Sequence, residues 1–156
     1  MDLKTGNQNF LIMNKSFNNL ALLIVRLGFG GFMLTHGIPK ISRLFESPIK
    51  FADPFGFGET PTLILALIGE VVAPIFIIIG FKTKWAAIPA IITMAVAAFV
   101  IHAKDDLGTK EHALLFMIAF IVIFLTGAGK YSVDGRKGAR TSGLRAYRSR
   151  FRCILW

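Results

Sequence analysis

Leu20–Lys40 reads LALLIVRLGFGGFMLTHGIPK and sets an arginine inside an apolar run long enough to cross a bilayer. From Leu20 to Ile38 the run holds 19 residues, with Arg26 its one firmly charged member. At 1.5 Å per residue it spans about 28 Å, roughly one hydrocarbon core. Arg26 lies about 9 Å beyond Leu20, a depth where a charge costs a few kcal/mol unless it snorkels or finds a partner. Gly30 and Gly37 fall on the face of Arg26 at about 100° per residue, and glycines on such a face let a neighbouring helix approach closely. The arginine is therefore expected to face protein and to be paired.

The rest of the chain agrees with a membrane setting. Its 156 residues are 54% apolar and include 15 Phe, with a mean hydropathy of +0.60, which excludes an ordinary soluble domain. Met1 to Asn19 is polar and lacks a cleavable signal pattern, so the first helix is expected to act as its own insertion signal. Cys153 is the sole cysteine, which excludes an intrachain disulfide, a cysteine zinc cluster and a dithiol redox pair.

Thr62 to Phe81, Trp85 to Ala103 and Ala113 to Ala128 read as three further spans. Only Lys82, Thr83 and Lys84 separate the second from the third, so these two are expected to be antiparallel neighbours. The fold class is all-α: a four-helix transmembrane bundle over residues 20–134, between a cytoplasmic segment 1–19 and a basic tail 135–156. With the N-terminus cytoplasmic, that side holds Lys4, Lys15, Lys82, Lys84, Lys130 and seven tail cations, against Lys40, Arg43, Lys50, Lys104 and Lys110 outside. That bias predicts both termini in the cytoplasm. The outer loop from Pro39 to Pro61 mixes Phe45, Ile49, Phe51, Phe55 and Phe57 with charges and prolines. It reads as a segment on the membrane surface, either a plain connector or a lid over the bundle mouth.

Glu70 falls in the middle of the second span, where a carboxylate must be paired or protonated. Counted along the helix axes, Arg26 lies about 9 Å and Glu70 about 16 Å from the cytoplasmic boundary, which makes Arg26 the expected partner. Such a pair either fixes helix register or serves a proton or ligand. Pro74 removes the N–H that would bond to the Glu70 carbonyl, so that oxygen is expected to be free for a polar pocket or a simple kink.

All three histidines fall toward the outer side. His36 ends the first span, His102 ends the third, and His112 begins the fourth beside Glu111. Neutral imidazoles there are able to hold a metal, a haem or a quinone carbonyl and to relay protons. No His-x-x-x-His or Glu-x-x-His spacing is present, so no metal or haem ligand set is evident, and interfacial solvation is the plain alternative. Arg26, His36, Glu70, His102 and Glu111 form the candidate polar pocket. Glu111 also suits a first helical turn, which Thr109 is placed to cap.

In their order these residues resemble the DoxX family of small four-helix membrane proteins. The pattern is Arg26, then Thr35-His36-Gly37 and Lys40, then Glu70, then Gly80-Phe81-Lys82-Thr83, then Glu111 and Gly127-Ala128-Gly129-Lys130-Tyr131-Ser132-Val133-Asp134, covering about residues 20 to 134. The resemblance implies a plasma-membrane protein. Some relatives are associated with redox complexes such as thiosulfate:quinone oxidoreductase, others with oxidative-stress defence, and most have no established activity. The tail departs from that pattern. Its Arg140, Arg145, Arg148, Arg150 and Arg152, interleaved with Leu144, Tyr147, Phe151, Ile154 and Leu155, read as a basic amphipathic helix on anionic lipid, with an unstructured or appended tail as the alternative. A basic tail beside a membrane already has an anionic partner, so nucleic acid is not expected.

Three functions fit. The first is a quinone-linked redox module that receives electrons from partner subunits, making the chain a subunit of a quinone-linked oxidoreductase. The second is a non-catalytic scaffold or anchor, and the third a small-solute transporter, which at four helices needs homo-oligomerisation to enclose a path.

Overall fold

The computed structural model describes residues 3–136, with side chains from Lys15 onward. The basic tail from residue 137, including Arg140, Arg145, Arg148, Arg150 and Arg152 and the amphipathic helix expected there, lies outside the described residues. The described chain is all-helical, and four of its helices are long and apolar enough to span a membrane. They are α1 (Leu3–Ile41), α2 (Glu59–Ile79), α3 (Thr83–Ile101) and α4 (Leu107–Thr126).

α1 carries its helix far beyond the expected start at Leu20 and passes Pro39 before a short 3-10 turn, Ser42–Phe45. α4 starts six residues earlier than the hydropathy suggests, because Asp106 caps it by accepting the Gly108 amide at 3.1 Å. Thr109 instead donates its hydroxyl to Asp106 at 2.8 Å. Glu111 thus falls outside the first turn, contrary to the capping expected from sequence.

α2 and α3 each contain a π-helical turn, Ile68–Val72 and Ala97–Ile101. The first lies immediately before Pro74, whose ring has no N–H and crowds the carbonyl four residues back; a wider turn relieves that crowding. The displaced Glu70 carbonyl is turned against α1, where a Cβ added to Gly37 would meet it at 2.6 Å. That oxygen therefore packs on a glycine of the neighbouring helix.

The helix pairs run antiparallel. Gly37 lies against Glu70 and Val71, and Gly30 against Ile78, which gives the register of α1 on α2. α3 and α4 pack most extensively. The core is small-residue and sulfur-rich: Ala87, Ala90, Met33 and Met94 surround Ile77, Phe116, Phe120 and Ile123. Ile24, Phe32, Ile64, Leu65, Ile92, Phe99, Leu115, Ile118 and Leu125 point outward. Such a belt is unsuited to water and matches the hydrocarbon of a bilayer.

Candidate functional site

Two buried charges organise opposite ends of the bundle, and they do not meet. Arg26 is 1% exposed. Its Nε donates to the Ile77 carbonyl at 2.9 Å, its Nη2 to Ile78 at 3.0 Å, and its Nη1 to Ala128 and, at 3.2 Å, to Tyr131. The first two acceptors belong to the last turn of α2, where carbonyls run short of intrahelical donors and Ile77 has the Gly80 amide at 3.1 Å besides; the others lie in the segment after α4. The planar fork of five N–H groups suits this task, binding three segments through backbone alone. Gly80 closes α2 beside it at φ 74°, a left-handed geometry that favours glycine. Asp134 completes this end by accepting the Lys82 and Thr83 amides at 2.9 Å each, so it caps α3 from across the bundle.

Glu70, 4% exposed, pairs instead with Lys40, whose ammonium lies 2.6 and 2.5 Å from its two carboxylate oxygens. The expected Arg26–Glu70 pair is thereby corrected, and the reason is directional. Helical side chains lean toward the N-terminus of their own helix. On antiparallel helices Arg26 therefore leans toward the chain-termini end and Glu70 toward the loop end, so matching depths of Cα atoms brings their charged tips apart. Lys40, near the end of α1, leans back into the bundle and meets Glu70.

This ion pair is the shared wall of two cavities. The larger, of about 480 Å³, lies between α2 and α3, and Ile68, Glu70, Ala97 and Ile101 of the π turns all line it. Phe51, Ala52, Pro54, Phe55 and Phe57 of the loop line it as well, so the aromatic loop lies across part of the bundle mouth, where a lid would sit, with Phe55 and Phe57 still exposed. Its polar groups are few: Lys40, Glu70, Arg43, His102, Thr62 and Thr93. Asp53 shapes the lid by accepting the Phe57 and Gly58 amides and the Thr62 hydroxyl at 3.0, 2.7 and 3.1 Å. Those donors, the Gly58 amide foremost, hold the exposed Asp53 carboxyl below its usual 3.8.

The smaller cavity, of about 150 Å³, is lined by His36, His102, His112, Thr109, Lys40 and Glu70, over an apolar side that includes Met33, Met94 and Phe116. His36 sets its ring edge-on to Phe116 at 5.6 Å. His102 gives Nδ1 to Asp105 Oδ2 at 2.7 Å and lines both cavities. Of the residues expected to converge, His36, Glu70 and His102 do so; Arg26 is at the other end and Glu111 is exposed and lines neither cavity. His112 takes the place foreseen for its neighbour, since one helical residue is about 100° of rotation. Among the described residues no group of three or more His, Cys, Asp or Glu is placed to hold a metal ion.

Reading the sequence alone missed Lys40 and Asp105 as site residues. Lys40 follows Pro39 at the membrane boundary, where lysines commonly reach outward to water. Its position four residues after His36 on the same helical face was the available signal.

Residues 21–103 of this chain match the DoxX family. Two proteins of Haemophilus influenzae (strain ATCC 51907 / DSM 11121 / KW20 / Rd), each described as uncharacterized, are similar to it. One is 30% identical over 122 residues, covering 74% of this chain and 89% of that protein. The other is 26% identical over 125 residues, covering 75% and 83%. No solved structure matches. The matched region takes in α1 to α3, with both cavity-lining π turns, and stops before α4.

Proposed function

The chain belongs to the DoxX family, and from that premise we propose that it is the quinone-linked module of a membrane redox complex, binding the headgroup in the larger cavity. One observation carries this reading: an apolar cavity of about 480 Å³ between spans has a buried ion pair at its wall. Its volume falls in the range of small-molecule sites, about 300 to 1,000 Å³, in which apolar lining supplies contact and a few polar groups fix orientation.

The residues fit the group. A quinone brings an apolar ring and tail and two carbonyl acceptors. Lys40 has three N–H donors and directs two at Glu70, which leaves one for a ligand carbonyl. Arg43 and Thr93 are further donors on the same lining, and His102 brings its ring to it. Glu70 holds the Lys40 ammonium in place, and the Phe51–Phe57 lid excludes water from the headgroup. When bound, the quinone supplies the two-electron, two-proton chemistry; the electrons pass to or from a partner subunit. The protein is placed in the plasma membrane with both termini cytoplasmic, on the lysine and arginine bias, and the basic tail on anionic lipid. External labelling of Ser142→Cys in a Cys153→Ser background tests that orientation; labelling in intact cells reverses it.

The functional test is to purify the full chain in mild detergent, extract it and identify the lipids retained. Quinone at near-stoichiometric amount, lost in the Lys40→Met variant, is the expected result. A wild type that retains phospholipid but no quinone, and binds none added, overturns the reading. It would leave the scaffold role, for which Arg26 gives a precedent within this molecule of a buried charge that ties segments together through their backbone.

A further inference from the structure

We propose that His102 takes up a proton when an oxidised, carbonyl-bearing headgroup binds, so that the site reads the redox state of its ligand through one imidazole. This inference rests on the quinone-binding reading above. It starts from the His102 ring. Nδ1 lies 2.7 Å from the Asp105 carboxylate, and a carboxylate only accepts, so Nδ1 carries hydrogen. Nε2 is then the nitrogen left to a ligand, with no hydrogen-bond partner among the described residues. In the neutral ring Nε2 is an acceptor; only the imidazolium has N–H at both positions.

The two redox states of a quinone ask opposite things of that nitrogen. A carbonyl oxygen set against Nε2 needs a donor there, which neutral His102 with this tautomer cannot provide; with Lys40 serving the other carbonyl, the oxidised headgroup in that pose binds the imidazolium and draws in a proton. A quinol hydroxyl donates, and neutral Nε2 accepts it with no proton taken up. His102 alone lines both cavities among the three histidines. The smaller cavity, polar on the side of His36, His102, His112 and Thr109, is roomy enough for water that could carry the proton.

The charges facing His102 are consistent with uptake there. Asp105 on its own turn stabilises the imidazolium. Across the cavities, Lys40 from α1 is neutralised by Glu70 from α2, while Arg43 and the rings of His36 and His112 line the surrounding walls. Glu70 is the competing proton acceptor, which the variants must distinguish.

The experiment is titration calorimetry of the purified full chain with a short-chain benzoquinone, in buffers of different ionisation heat at pH 7.5. The dependence of the measured heat on buffer gives the protons taken up per binding event. The expected result is an uptake approaching one for the quinone and none for the quinol under anaerobic conditions. His102→Gln is expected to abolish the uptake and weaken quinone binding about tenfold, while Glu111→Gln leaves both unchanged. Uptake that persists in His102→Gln, or binding of quinone with no uptake in the wild type, overturns the inference and leaves the site. A wild type that binds neither form overturns the quinone reading itself. Should His102→Gln fail to fold, the wild type decides alone. Quinone binding whose measured heat is the same in every buffer, with no proton taken up, then contradicts the proposal.

Discussion

Arg26 and Lys40 are both cations on α1, both turned into the bundle, yet one is held among backbone groups and the other borders open space. Four backbone carbonyls from two other segments surround the Arg26 guanidinium, which lines neither of the two cavities. Lys40 meets a single carboxylate, keeps 30% of its side chain exposed, and borders two cavities. The comparison separates structural from functional use of buried charge by where the donors point. A guanidinium set among backbone carbonyls and lining neither cavity has little to offer a ligand, whereas an ammonium with one free hydrogen beside an apolar cavity does.

The comparison breaks first at Arg26. Arg26→Met would remove the guanidinium from four carbonyls, two of them fully buried, and charge-assisted bonds of this kind are worth roughly 1.5–3 kcal/mol each before relaxation. Loss of about 3 kcal/mol or more is expected, seen as failure to accumulate or a steep drop in thermal midpoint in detergent. Arg26→Lys should recover little, since one ammonium cannot replace the fork. A stable Arg26→Met chain that no longer binds quinone would reverse the roles assigned to the two ends.

A smaller effect sharpens the contrast at the loop end. Glu70→Gln and Lys40→Met should each cost about 1–3 kcal/mol, and the double variant should lose less than their sum, with coupling on the order of 1 kcal/mol. The cycle between Arg26 and Glu70 should instead be additive to within about 0.5 kcal/mol, because the two share no partner. Coupling between Arg26 and Glu70 in thermal melts would restore the pairing that sequence depth suggested.

The smallest effect concerns the lid, which has no counterpart at the Arg26 end. Asp53→Ala should raise amide exchange at Phe57 and Gly58 severalfold with no change in thermal midpoint, since only exposed bonds are lost. Acid should imitate the substitution. The Asp53 carboxyl is held below 3.8, chiefly by the Gly58 amide. The ordering it provides is therefore complete above that value and lost as pH falls through the lower folded value. Protection of these amides that is flat down to pH 2 would contradict the role of Asp53.

Much of this was legible in the sequence. Four spans follow from hydropathy, and Gly30 and Gly37 were recognisable as a close-packing face, as their contacts with α2 bear out. The convergence of His36 and His102 at one end followed from helix direction alone. The partner of Glu70 did not, because depth along an axis locates Cα atoms while the ion pair is made by tips that lean about a turn away. The π turns were hidden for another reason. One residue added to a turn changes neither composition nor period enough to register, and Pro74 marked only the neighbourhood. The lid was half legible: aromatic residues and prolines placed the loop at the interface, but its closure depends on Asp53 finding Thr62 and two amides across a turn.

The central claim is that the loop-end cavity, and not the Arg26 end, is where a ligand binds. Photolabelling with an azidoquinone, followed by peptide mapping, addresses it directly. The account predicts adducts within 51–57 and 89–102, removed by excess unmodified quinone and absent from a Lys40→Met, Glu70→Gln chain that still unfolds in one cooperative transition. Adducts confined to outward residues such as Leu115 and Ile118, and insensitive to competition, would contradict it.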